Sequence, residues 1–222
     1  MEDHDVSASA RHARSTTARS GETETARAPS QTRGEARVDA ILDAASEVIA
    51  EHGVAGVTMH ALARRARTSI GSMYHFFPDL GSVLNVLSDR HAVAIRAINR
   101  QLNGVPAEEW QALGAEAAIE RLLRPYVEYL RRHEDYLPLM HGRASIEEDA
   151  DFIRTIRHVL DARMAGFEPT VRENTAVMMH AIAAGTMHVG FKIDPGRADL
   201  YLREIPKVLA LYLANIEAGS LS

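Results

Sequence analysis

From Glu35 onward, apolar side chains return every three or four positions along the chain. Val38, Ile41, Leu42, Ala45, Val48 and Ile49 fall on one face of a helix and predict an amphipathic segment that stops at Gly53. Thr58 has the chemistry of an N-cap for a short second helix over about 58–65, because its hydroxyl can accept from a free backbone N–H of the first turn. Ser69 is placed to cap a third helix over 69–77, and Asp79 a fourth that runs to about Leu102. Beyond it, Pro106, Gly142, Pro169 and Pro195 divide the chain into further helices, among them one over about 170–191 and a last one from Pro195 to about Ile216. Pro125 is expected to kink one of them. No segment keeps the period of two that marks a strand, so the expected fold is all-α with about nine helices.

Residues 1–33 break this pattern. They are rich in Ser, Thr, Ala, Arg and Glu and hold almost nothing large and apolar, so they cannot bury enough surface to offset the entropy of ordering. We read them as a disordered tail. Its arginines (Arg11, Arg14, Arg19, Arg27 and Arg33) are balanced by acids, which suits a solvated segment; the other reading is an arm that reaches a DNA minor groove.

Two short helices separated by a three-residue turn and preceded by a longer helix form the helix-turn-helix arrangement, over about 58–77, whose second helix enters a DNA major groove. At about 100° per residue, Met73 and Phe77 share the inward face of the third helix with Ile70 at its margin. Gly71, Ser72 and His75 then point outward, and Tyr74 and Phe76 flank them. The outward face suits a groove. Gly71 allows close approach, Ser72 can bond a base edge or a phosphate, and the Tyr74 hydroxyl can reach a phosphate. Ser69 and Thr58 stand where backbone N–H groups at helix starts add phosphate contacts. Arg64, Arg65 and Arg67 are the only formal charges between Thr58 and Pro78, a local cationic patch.

That patch matters because the whole chain is acidic. Its 222 residues carry a net charge of −5, which argues against indiscriminate coating of nucleic acid but not against a reader of one site. The composition, 46% hydrophobic and 25% charged, is that of an ordinary globular protein. Cysteine is absent, which excludes disulfides and thiol chemistry and fits a reducing, cytoplasmic setting. No apolar run approaches the roughly 18 residues of a membrane helix, and there is no apolar signal segment at the N-terminus. The sequence holds no GxSxG, P-loop, dinucleotide fingerprint or HExxH, so we expect no catalytic residues, metal or cofactor. Of the eleven histidines, His180 and His188 lie eight apart, which is not metal-ligand spacing on one helix.

Residues Val57 to Leu84, together with the alanine-rich helix ILDAASEVIAEHG before them, resemble the DNA-binding domain of the tetracycline-repressor (TetR) family of transcriptional regulators. Thr58, Leu62, Ala63, Ala66 and the run Ser69-x-Gly71-Ser72-Met73-Tyr74-x-x-Phe77 carry the resemblance. It implies that Thr58, Arg64, Arg67, Thr68, Ser69, Gly71, Ser72, Tyr74 and His75 face DNA. The chain departs from the family pattern in three places. Arg67 and Thr68 replace a Gly–Val turn, Phe76 cannot hydrogen-bond a phosphate, and Leu80 stands where Lys is frequent. The last two departures each remove a phosphate contact and are expected to weaken DNA binding modestly.

The resemblance also implies an organisation: a DNA-binding domain over 35–95 and a larger helical ligand-binding and dimerisation domain over 96–217. In the family the effector site lies within the second domain, bounded by its middle helices. On that basis Tyr126, Met140, Arg143, Phe152, Met179 and Met187 are candidates, with an Arg143–Glu147 ion pair as the duller role for that arginine. Homodimerisation is expected through the helices of about 170–191, with Ala181, Ala183, Ala184 and Gly185, and 195–216, with its run of leucines. The implied function is a homodimeric repressor on a near-palindromic double-stranded DNA operator, released by a small molecule. The rival readings are a ligand-binding or interaction protein with a degenerate DNA-binding domain, to which Phe76 and Leu80 would point, and an all-α enzyme.

Overall fold

The computed structural model describes residues 29–141 and 146–219. Ten α-helices and two short 3-10 turns make up the described residues, and no strand occurs among them. That is close to the expected count of about nine; two of the ten, the five-residue segments Ala107–Gln111 (α5) and Tyr136–Met140 (α7), are too short to show a period. The first helix, α1, spans Pro29–His52 and so takes in the end of the segment expected to be a tail; residues 1–28, with Arg11, Arg14, Arg19 and Arg27, lie outside the described part.

The helix-turn-helix consists of Met59–Arg65 (α2) and Ile70–Phe76 (α3). Thr58 Oγ1 accepts from the Ala61 N–H at 3.1 Å, and Ser69 Oγ accepts from the Ser72 N–H at 3.1 Å. Asp79 accepts from the Ser82 N–H at 2.7 Å and opens α4, Leu80–Asn103. All three caps stand where the sequence placed them. Helix α2 ends in a Schellman closure: the Thr68 N–H donates back to the Ala63 carbonyl and the Arg67 N–H to the Arg64 carbonyl. Arg67 occupies the left-handed position of that motif, φ 49°, where glycine is the usual residue.

Two apolar cores follow. In the first, Ile41, Leu42, Ala45, Val48 and Ile49 of α1 meet Leu62 of α2, Met73 and Phe77 at the end of α3, and Val83, Leu84 and Leu87 from the start of α4. The second core is built by the rear of α4 with α5, Ala115–Arg132 (α6), Ile146–Arg163 (α8), Pro169–Ile193 (α9) and Ala198–Glu217 (α10). Pro125 sits inside α6 without ending it. Pro195 opens a 3-10 turn rather than α10, because the Asp194 carboxylate accepts from the Gly196 N–H and closes a separate cap.

Helix α4 serves both cores, and where they meet it carries a buried polar side chain. His91 is 2% exposed; its Nε2 lies 2.9 Å from the Asp135 carboxylate and its Nδ1 2.6 Å from the Tyr129 hydroxyl. Eight residues on, Asn99 accepts a hydrogen bond from the Tyr126 hydroxyl. Helix α4 is therefore tied to α6 by polar contacts in dry surroundings, where an unpaired group is costly. Burial alone would raise the Asp135 carboxyl, but the hydrogen bond and charge of His91 outweigh it and hold the group below its usual range. Burial raises the Tyr129 phenol to about 12 and lowers the His133 imidazole beside it.

Two predictions arise here. Arg67→Gly removes the steric cost of a side chain at positive φ, worth about 1–2 kcal/mol, and gives back part of it as unfolded-state entropy. We expect a net gain of about 0.5–1 kcal/mol, seen as a rise of about 2 °C in melting temperature. No rise would contradict the left-handed turn. The second concerns Asp135. Its lowered carboxyl contributes stability that is present above the unfolded value of about 4 and is lost as pH falls through the folded value. Asp135→Ala leaves His91 buried without its acceptor and should cost about 3 kcal/mol at pH 7 in denaturant unfolding. The variant should also lose less of its remaining stability than the wild type between pH 5 and 3.

Candidate functional site

The face of α3 that turns away from the first core is open to solvent. Tyr74 is 52% exposed, Gly71 and His75 are exposed, and Ser72 is half-buried. A Cβ placed on Gly71 would meet nothing within 4 Å. Met73 is fully buried on the opposite side, and Ile70 is half-buried at the edge of the core. Phe76 and Leu80 also pack, half-buried, against that core. Phe76 meets the His75 ring edge-on, with centroids 5.0 Å apart. Both residues therefore contribute apolar packing in places where the family pattern has polar groups.

The three arginines near α3 separate into two kinds. Arg65 is taken by α1: it bonds Glu51 at 2.6 Å and Glu47 at 2.9 Å, and this contact holds the Glu51 carboxyl below its ordinary range. Arg64 and Arg67 are exposed and make no ion pair with the described residues. The cationic patch read from the sequence as three charges thus has two uncompensated members. Thr58 and Ser69 are exposed and Thr68 is half-buried, all beside the same surface.

The second site is a cavity of about 450 Å³ in the larger helical unit. Its walls come from α4, α6, α7, α8, α9 and α10. Of the residues proposed from sequence, Tyr126, Met140, Phe152 and Met187 line it. Met179 does not: it is fully buried in the second core. The reason is helical rotation, since eight residues separate Met179 from Met187 and turn the two side chains about 80° apart. Arg143 lies outside the described residues.

The sequence reading missed the polar groups of the cavity. Glu148 and Asp149 come from α8, His180 and His188 from α9, and His141 from the end of α7. His180 Nε2 lies 3.0 Å from Asp149 Oδ1, and its ring stands edge-on to Phe152, 5.5 Å away. Phe152 in turn meets Tyr126 at 4.8 Å. The Tyr136 phenol is pushed up to about 12, chiefly by burial and next by the charge of Glu148. The stripe His180–Ala184–Met187–Phe191, spaced four, three and four, was a usable signal for the wall on α9. Phe152 was the one residue of α8 expected at the cavity, and nothing in the sequence signalled that Glu148 and Asp149 would join it. Among the described residues no cluster of His, Asp and Glu is arranged to hold a metal ion.

Helix α7 joins the two sites. Tyr136, Leu137 and Met140 line the cavity, while Leu139 and Met140 are buried in the core of the helix-turn-helix unit. Met140 does both at once.

Comparison with known proteins follows the same division. Residues 41–80 match the family described as bacterial regulatory proteins, tetR family, and residues 116–213 match the tetracyclin repressor-like C-terminal domain. No curated protein sequence matches the chain. Among solved structures, a TetR-family transcriptional regulator from Streptomyces coelicolor is similar with a TM-score of 0.57 and 19% identity, covering 85% of this chain and 99% of its own. SmeT, the repressor of the multidrug efflux pump SmeDEF of Stenotrophomonas maltophilia, is similar with a TM-score of 0.57 and 19% identity over 82% of this chain and 89% of its own. A TetR-like regulator from Rhodococcus sp. RHA1 gives 0.57 and 17% over 79% and 93%. At these identities the structures show a shared fold. With both its helix-turn-helix and its C-terminal helical unit matched, the chain belongs to the TetR family of transcriptional regulators.

Proposed function

We propose that this chain is a homodimeric repressor that reads a near-palindromic DNA operator through α3 and leaves it when a small molecule fills the cavity. The observation that carries the reading is the outward face of α3, where a glycine, a hydroxyl and an exposed tyrosine stand beside two uncompensated arginines. Gly71, Ser72, Tyr74 and His75 enter the major groove. Thr58, Arg64, Arg67, Thr68 and Ser69 hold the phosphates on either side of it. The DNA-binding unit is residues 35–95 and the effector and dimerisation unit 96–217. The protein acts in the cytoplasm. Among the described residues no helix is long and apolar enough to cross a membrane.

Two further features support the rest of the reading. Met140 belongs to the wall of the cavity and to the core beneath the recognition helix, so an occupant that displaces α7 also acts on the DNA-binding unit. The ligand must bind the DNA-incompetent arrangement more tightly for release to follow. SmeT, of similar fold, has been solved in complex with triclosan. For the dimer, Met178, Ala181, Gly185 and Val189 form one exposed stripe on α9, and Val208 and Leu211 stay exposed on α10, an unpartnered apolar face of the kind copies use to associate.

Selection against random and genomic duplexes at near-physiological salt is expected to enrich a palindromic site. Ser72→Ala and Tyr74→Phe should each weaken that site about tenfold. Gly71→Ala separates folding from reading: it should stabilise the helix by about 0.5–1 kcal/mol, yet weaken the operator complex because its methyl stands between helix and groove. Arg64→Gln should lower the slope of log affinity against log salt by about one, while Arg65→Gln leaves the slope unchanged. Binding without sequence preference would remove the DNA-reader reading. In sedimentation, Leu211→Glu should convert a dimer to monomers; a wild type that sediments as a monomer would refute the interface.

A further inference from the structure

Helix α3 is seven residues long, IGSMYHF, and lacks the side chains that best read three of the four bases. Guanine is picked out by the paired donors of Arg or by Lys, adenine by Asn or Gln, and cytosine by Asp or Glu. None of these residue types occurs in α3. Ser72 and His75 can each make a single bond to a purine N7. Adenine and guanine share that acceptor, so such a bond does not tell them apart. Arg64 and Arg67 stand outside α3, exposed and without an ion pair among the described residues, and supply charge that attracts phosphate.

The remaining contact is apolar. Tyr74 is 52% exposed, and a long helical side chain leans over the turn before its own Cα, which for Tyr74 holds Ile70 and Gly71. A Cβ on Gly71 would meet nothing within 4 Å, the Tyr74 ring included, so a gap is left between the ring and the helix backbone. Ile70, half-buried against the first core, borders the gap on its inner side. The space is that of a missing methyl group, its borders are apolar, and uncompensated cations stand on the same surface. We propose that it receives the C5-methyl of a thymine, and that this is the base contact by which each subunit recognises its half-site. The proposal deepens the reading of α3 as a DNA reader and rests on it.

The test is made with the full-length protein on the duplex that selection enriches. Each thymine is replaced in turn by deoxyuridine, which removes one methyl and leaves every hydrogen-bonding group in place. Replacement at one position of a half-site is expected to weaken binding about fourfold, and about fifteenfold when both half-sites are changed. Tyr74→Phe keeps the ring and should keep this preference, whereas Tyr74→Ala should lose it. Gly71→Ala fills the gap with a methyl of the protein's own, and should bind the deoxyuridine duplex at least as tightly as the thymine one. The fold of each variant is checked by its melting temperature without DNA. If deoxyuridine has no effect at any position, or if its penalty survives in Tyr74→Ala, the proposal is overturned while the enriched site still upholds the DNA-reader reading. If selection enriches no site, that reading fails and the proposal with it.

Discussion

Helix α4 cannot leave one core without disturbing the other, and His91 lies where the two meet. The first turns of the helix supply Val83, Leu84 and Leu87 to the helix-turn-helix unit, and its end supplies Leu102 to the larger unit. Between them, His91 bonds Tyr129 of α6 and Asp135 at the start of α7. A buried imidazole needs a partner on each nitrogen, and these two come from different helices. The single interaction therefore fixes α4, α6 and α7 relative to one another, and with them the orientation of the DNA-binding unit on its neighbour.

Helix α7 is only five residues long and has too little surface for a core of its own. Its side chains are divided between the cavity and the first core, so its position answers to both. Packed interiors respond to intrusion by shifting rather than by compressing. The helices that α7 touches in the helix-turn-helix unit are α1 and α4, so any displacement of Leu137 and Met140 would act first on those two. The same helix starts at Asp135, which places the polar tie and the apolar lever on one short segment.

The helix-turn-helix shows how neighbouring residues of one type acquire different roles. Arg65 faces α1 and is held by two glutamates, joining α1 to α2. Arg64 and Arg67 lie on other sides of the same short helix end and remain exposed. At Arg67 the backbone takes the left-handed turn that glycine adopts more cheaply, so a cation stands at this turn in exchange for backbone strain. Phe76 and Leu80 show a related exchange, apolar packing where family members offer polar groups.

The sequence by itself determined the local features: an all-α chain, the caps at Thr58, Ser69 and Asp79, the inward Met73 and Phe77, and the family that these residues mark. These depend on the period of one helix or on contacts three or four residues apart, which a linear reading can count. Short α5 and α7 fell below that period. The cavity was legible only in part. Tyr126, Met140, Phe152 and Met187 line it, while Met179 turned into the core and Glu148, Asp149 and the three histidines were not foreseen. Which glutamates would take Arg65, and which helix would face α9, depended on how separate helices dock. Docking is decided by the packing of whole faces against each other, and only the tertiary structure holds that information.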